Sequence, residues 1–130
     1  MGYKLLLLAI LATLVYSCKD ASAKEIEIIT AAEMQTHMKY DNLQVVDLQP
    51  EEDYKKSHLL NAHNIIYNKD FRHNLENLDK KKPVAIYCTS GKVSPEAAKI
   101  LKEAGFEHIY VLDGGISKWK EEIDKVESVQ

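Results

Sequence analysis

One cysteine, Cys88, ends the apolar run Val84–Tyr87, and a short polar segment follows it: Thr89, Ser90, Gly91, Lys92 and Val93, then Ser94, Pro95 and Glu96. The thiolate is the nucleophilic form of cysteine, and at an ordinary pKa of about 8.5 only a few per cent is ionised near neutrality. Three features of this segment favour the anion. Backbone N–H groups of a tight loop point inward, a helix N-terminus from Pro95 carries partial positive charge, and Lys92 brings an ammonium. Gly91 permits backbone angles that a side chain forbids, while Thr89 and Ser90 add hydroxyl donors. The competing readings are a small hydrophobe ending a buried strand for Cys88 and a plain polar turn for Thr89 and Ser90. Spacing removes two other chemistries. Cysteine phosphatases need an arginine six positions on to clamp phosphate, where Ser94 stands, and dithiol exchange needs a second cysteine three positions on, where Gly91 stands.

The flanking elements must hold this segment in place. Val84–Tyr87 reads as a strand covered on both faces, and Ser94 as the N-cap of a helix with Pro95 in its first turn. Ala97, Ala98, Leu101 and Ala104 repeat at helical spacing up to Gly105, a left-handed C-cap. Upstream, Ile26, Ile28 and Ile29 among glutamates suggest an edge strand. Thr30 with Glu33 forms a capping box opening a helix at Ala31, with Met34 and Met38 on its inner face. Gln44–Leu48 is a buried strand delivering Asp47, followed by a short helix over 50–54 and a polar crossing through His58. A strand over 62–66, a helix over 70–78 and a turn over 80–83 lead into the cysteine strand. Ile109–Leu112 is the next strand, and Asp113, Gly114 and Gly115 turn into a helix whose stripe is Ile116, Trp119 and Ile123. Alternating strands and helices imply right-handed βαβ units and a mainly parallel sheet covered on both faces. Ligands then sit beyond the carboxyl ends of the strands, where Cys88 is.

The chain of 130 residues, 45% hydrophobic and 28% charged, suits one globular domain preceded by a targeting segment. Lys4 precedes the run Leu5–Val15, which spans roughly 16 Å as a helix against about 30 Å of hydrocarbon, so residues 1–17 read as a signal peptide. Leu14, Val15, Tyr16, Ser17 and Cys18 resemble the bacterial lipobox, in which the chain is cut before the cysteine and its sulfur is acylated. Residues 18–24 are then the lipidated Cys18 and a polar tether, 25–124 the domain and 125–130 a tail. The expected location is outside the cytoplasm, periplasmic or membrane-anchored through Cys18. A soluble secreted product, an uncleaved anchor and a Cys18–Cys88 disulfide are the alternatives. Loss of residues 1–17 leaves 16 basic against 20 acidic residues, a balance that argues against a nucleic-acid partner. The five histidines show no helix-face pair and only one cysteine remains available, so no metal site and no cofactor is expected.

The stretch YCTSGKVSPEAAKILKEAGFEHIYVLDGGISKW is similar to the active-site half of rhodanese domains, and VVDLQPEEDYKKSHLLNAHNI resembles their upstream half. The resemblance runs from about Glu25 to Ile123. It implies a three-layer α/β fold, a five-stranded mainly parallel sheet with helices on both faces. It also implies a monomeric sulfurtransferase in which Cys88 takes a sulfane sulfur from a thiosulfate- or persulfide-type donor. Cys88 then passes that sulfur, through its persulfide, to a thiol or cyanide. Thr89, Ser90, Gly91, Lys92 and Val93 would line the substrate site. Val93 stands where many rhodaneses carry arginine, which leaves anion binding to Lys92, with help from Arg72, the chain's single arginine. His58 and Asp47 take structural roles in this reading, and a non-catalytic binding or sulfur-carrier module is the alternative function.

Overall fold

The computed structural model describes residues 25–40 and 42–123. The expected signal peptide, Cys18, the expected tether and the tail at 125–130 all lie outside the described residues. Five strands run in the order β1 (Glu25–Ile29), β2 (Gln44–Asp47), β3 (His63–Asn64), β4 (Val84–Tyr87) and β5 (His108–Leu112). The helices are α1 (Ala31–Tyr40), α2 (Glu51–Lys56), α3 (Phe71–Asn74, continued as a 3-10 turn over Leu75–Asn77), α4 (Ser94–Glu103) and α5 (Gly115–Glu122). The sheet order is β1-β5-β4-β2-β3, and every pairing is parallel.

β4 lies at the centre, and successive side chains along a strand point to opposite faces. Val84, Ile86 and Cys88 therefore join one buried cluster with Ala97, Ala98 and Leu101 of α4 and with Phe71 and Leu75. Ala85 and Tyr87 join the other, with Met34 of α1, Ile116 and Trp119 of α5, and Leu59. Burial on both faces is what a parallel sheet requires, and it accounts for the unbroken apolar run of β4. β1 is an edge strand, with Ile28 exposed. The capping box of α1 is formed as expected: Thr30 N–H donates to Glu33 Oε2 at 2.8 Å and Glu33 N–H to Thr30 Oγ1 at 3.2 Å.

Three local expectations change. The strand over 62–66 shrinks to His63–Asn64, because β2, its neighbour in the sheet, ends at Asp47, to whose carbonyl Ile65 N–H donates the last ladder bond. The helix over 70–78 is one α turn that tightens into 3-10 geometry. Ser94 is not the N-cap of α4. Val93 holds that position, and Ser94 is the first helical residue, fully buried.

Candidate active site

The parallel register sets the end of β4 beside the end of β2, pairing Asp47 with Tyr87. Cys88 follows immediately, 5% exposed, with its sulfur on the α4 face. The loop returns upon it: Gly91 N–H donates to Cys88 Sγ at 3.0 Å. Gly91 adopts φ +85° to make that turn, and a Cβ there would crowd the Gly114 backbone at 3.2 Å. Burial pushes the Cys88 thiol up, but the Ser94 hydroxyl and the N–H groups of Val93, Ser94 and Gly91 together outweigh it and hold the thiol below its ordinary value. Ser94 Oγ completes no hydrogen bond of standard geometry. Its proton is thus free to turn towards negative charge on the sulfur. The sulfur lies against the start of α4, where Ser94, the first helical residue, is buried beside it.

The start of α5 fixes the strand end from a second side. Ile116 N–H donates to the Cys88 carbonyl at 2.9 Å and Ser117 N–H to that of Thr89 at 3.0 Å. Gly115, at φ +63°, must be glycine here, since a Cβ would collide with both carbonyls.

Behind β4 lies a buried polar network. Asp47 accepts from Tyr87 Oη, from Gln49 N–H at 2.7 Å and from Gln49 Nε2 at 2.9 Å. Gln49 Oε1 accepts from the Thr89 hydroxyl at 3.3 Å, so one amide side chain links the buried carboxyl to the residue after the cysteine. Burial raises the Asp47 carboxyl above its usual range, opposed by the donors from Tyr87 and Gln49. The Tyr87 hydroxyl is pushed far above its ordinary value by burial and by Asp47. His58 stacks on Tyr54 at 4.0 Å with Nδ1 2.9 Å from the Tyr54 carbonyl, well placed for a structural role.

A cleft of about 260 Å³ opens over the sulfur, lined by Leu48, Gln49, Pro50, Cys88, Thr89, Ser90, Lys92 and Val93. Five of the six residues singled out in the sequence line it, and Gly91 reaches the sulfur through its N–H. Arg72 is not brought to it. Its guanidinium pairs with Glu103 at the far end of α4 from the loop. Sequence reasoning missed Ser94 as a sulfur-facing donor, because its residue type fitted a cap, and missed Gln49, whose contact with Thr89 spans forty residues. Among the described residues no group of His, Cys, Asp or Glu could hold a metal ion.

The rhodanese-like domain model matches residues 30–122. The chain belongs to the rhodanese-like family. It is 33% identical over 97 residues to the thiosulfate sulfurtransferase GlpE of Coxiella burnetii, covering 75% of this chain and 87% of that protein. It is also 30% identical over 112 residues to the uncharacterized protein YibN of Escherichia coli K12, covering 85% of this chain and 78% of that one. Among solved structures, the BH2092 protein of Bacillus halodurans superposes with a TM-score of 0.71 at 29% identity, covering 79% and 77% of the two chains. A rhodanese-related protein of Thermoplasma volcanium gives 0.71 at 26%, covering 78% and 98%. This rhodanese-like chain therefore has the expected five-stranded parallel architecture, and it is similar to a thiosulfate sulfurtransferase of the same family.

Proposed function

We propose that the protein is an exported, lipid-anchored, monomeric sulfurtransferase. Cys88 would carry sulfane sulfur from a thiosulfate- or persulfide-type donor to a thiol or cyanide. The observation that supports this most directly is the thiol held below its ordinary value by loop N–H groups and Ser94 at the floor of an open cleft. The thiolate attacks the outer sulfur of the donor; a new S–S bond forms as the donor's own breaks, and the leaving group, sulfite or a thiolate, departs with the bonding pair. The donors that stabilise the thiolate then face the negative charge of the persulfide. An acceptor thiolate or cyanide attacks the outer sulfur, breaks the new bond and restores the Cys88 thiolate. The sulfur moves without external oxidant, metal or cofactor.

Intact-mass measurement after incubation with thiosulfate, polysulfide or a hydropersulfide tests this reading. A gain of about 32 Da, one sulfur atom, is expected in the native chain and not in Cys88→Ser. Failure of every donor to load Cys88 would remove the proposal. A second reading, a module that holds sulfur or a partner without turnover, draws on exposed Val93 at the cleft where an anion clamp would sit. Cyanide added to the loaded protein separates the two: thiocyanate release with return to the original mass marks turnover, and retention of the extra sulfur marks the module.

A further inference from the structure

From the composition of the cleft we infer that Cys88 is loaded by an organic hydropersulfide with a small apolar body in preference to thiosulfate, an inference that rests on the sulfur-carrier reading above. Leu48, Pro50 and Val93 supply apolar walls around the sulfur, and Val93, 37% exposed, presents its side chain at the opening. Thiosulfate carries two negative charges and a sulfonate with three oxygens to satisfy. Lys92 is the single cation lining the cleft.

Three lysines on the flanking helices are already engaged with carboxylates. Lys55 pairs with Glu51 at 2.7 Å, Lys99 with Glu96 at 3.1 Å and Lys118 with Asp113 at 2.7 Å. Glu51, Glu52 and Asp53 follow Pro50 directly, so the wall that Pro50 forms leads into three carboxylates. The inward N–H groups of Gly91, Val93 and Ser94 serve one atom, Cys88 Sγ. They leave Lys92, the Ser90 hydroxyl and a Thr89 hydroxyl already shared with Gln49 for a sulfonate. A lone exposed ammonium holds a dianion poorly, since one solvated ion pair is worth little. An organic hydropersulfide carries at most one charge on its reacting group, and its body meets the apolar walls.

The loading step balances without a further reagent. Cys88 thiolate attacks the outer sulfur of R–S–SH, the donor's S–S bond breaks, R–S⁻ leaves with the bonding electron pair, and the protein retains the Cys88 persulfide with the outer S–H.

The test measures Cys88 loading by intact mass with thiosulfate and with a neutral alkyl hydropersulfide series from methyl to butyl, on the native chain and on Val93→Arg. In the native chain KM should fall with each added methylene, up to about fourfold per step while the chain still meets the walls. Val93→Arg should raise kcat/KM for thiosulfate about tenfold or more, since a guanidinium fork adds charge-assisted hydrogen bonds, and shift the donor ratio towards thiosulfate. A KM independent of alkyl length, or thiosulfate saturating the native chain below every hydropersulfide, would overturn the inference while leaving the sulfur-carrier reading intact. Loading from neither donor class would remove that reading itself.

Discussion

Cys88 shows how one sulfur can be both a strand-end side chain and the acceptor for the loop that leads into a helix. Gly91 N–H donates to Sγ, and the N–H groups of Val93 and Ser94, at the very start of α4, also favour its anion. The arrangement also stabilises the fold in one pH range. Because the folded thiol titrates below its unfolded value of about 8.5, this contribution is fully present above that value and is lost as pH falls through the folded one. Ser94 is the largest of the influences lowering it. Ser94→Ala is therefore expected to move the midpoint of Cys88 alkylation by iodoacetamide to higher pH. It should also slow sulfur loading at neutral pH by about tenfold, the worth of one hydrogen bond to a charged group. An alkylation profile superimposable on that of the native chain would show that the hydroxyl only fills space.

At the scale of elements, β2 and the loop after β4 are joined through Gln49, which donates to Asp47 and accepts from Thr89. Gln49→Ala leaves a buried carboxylate short of a donor, a loss of about 1–3 kcal/mol. Its pH dependence has a definite sign. Asp47 titrates above its ordinary value of about 3.9, so between those two points the folded state holds more protons than the unfolded one, and stability falls as pH rises through that window. Removing the Gln49 donor raises the folded value further. Urea unfolding across a pH series should then show the loss continuing to higher pH in Gln49→Ala than in the native chain; a uniform offset at all pH values would contradict the coupling. The ends of this network differ in how legible they were. Asp47 could be read as a structural carboxylate because it is the one acid of a short buried strand and stands near its carboxyl end. Gln49 could not, since its meaning depends on the register that sets β2 beside β4. Likewise β1, α1 and the turn at Gly114 and Gly115 follow local rules of alternation, capping and backbone freedom. β3 was overestimated, because its neighbour, β2, ends at Asp47, and the local sequence of β3 carries no trace of where the partner strand stops.

For the whole molecule, a sheet with every pairing parallel has two unlike ends, and this one separates the start of the domain from its chemistry. Glu25 begins β1 level with His108 at the start of β5, whereas Cys88 lies just past the opposite end of β4. Residues 18–24 are seven in number and reach at most about 25 Å when fully extended. On the proposed anchor at Cys18, the bilayer would adjoin the end where the strands begin, and the cleft would open away from it towards soluble donors and acceptors. Acyl chains sharing one cysteine would hold the protein stably where a single chain would not. Cys18→Ala should accordingly move the protein from the membrane to the soluble fraction while Cys88 loads from a soluble donor at an unchanged rate. Retention on the membrane would refute the lipid anchor. Loading tenfold slower in the vesicle-bound native chain than in the released variant would instead preserve the anchor and refute the outward-facing cleft, so the two measurements test separate parts of the same geometry.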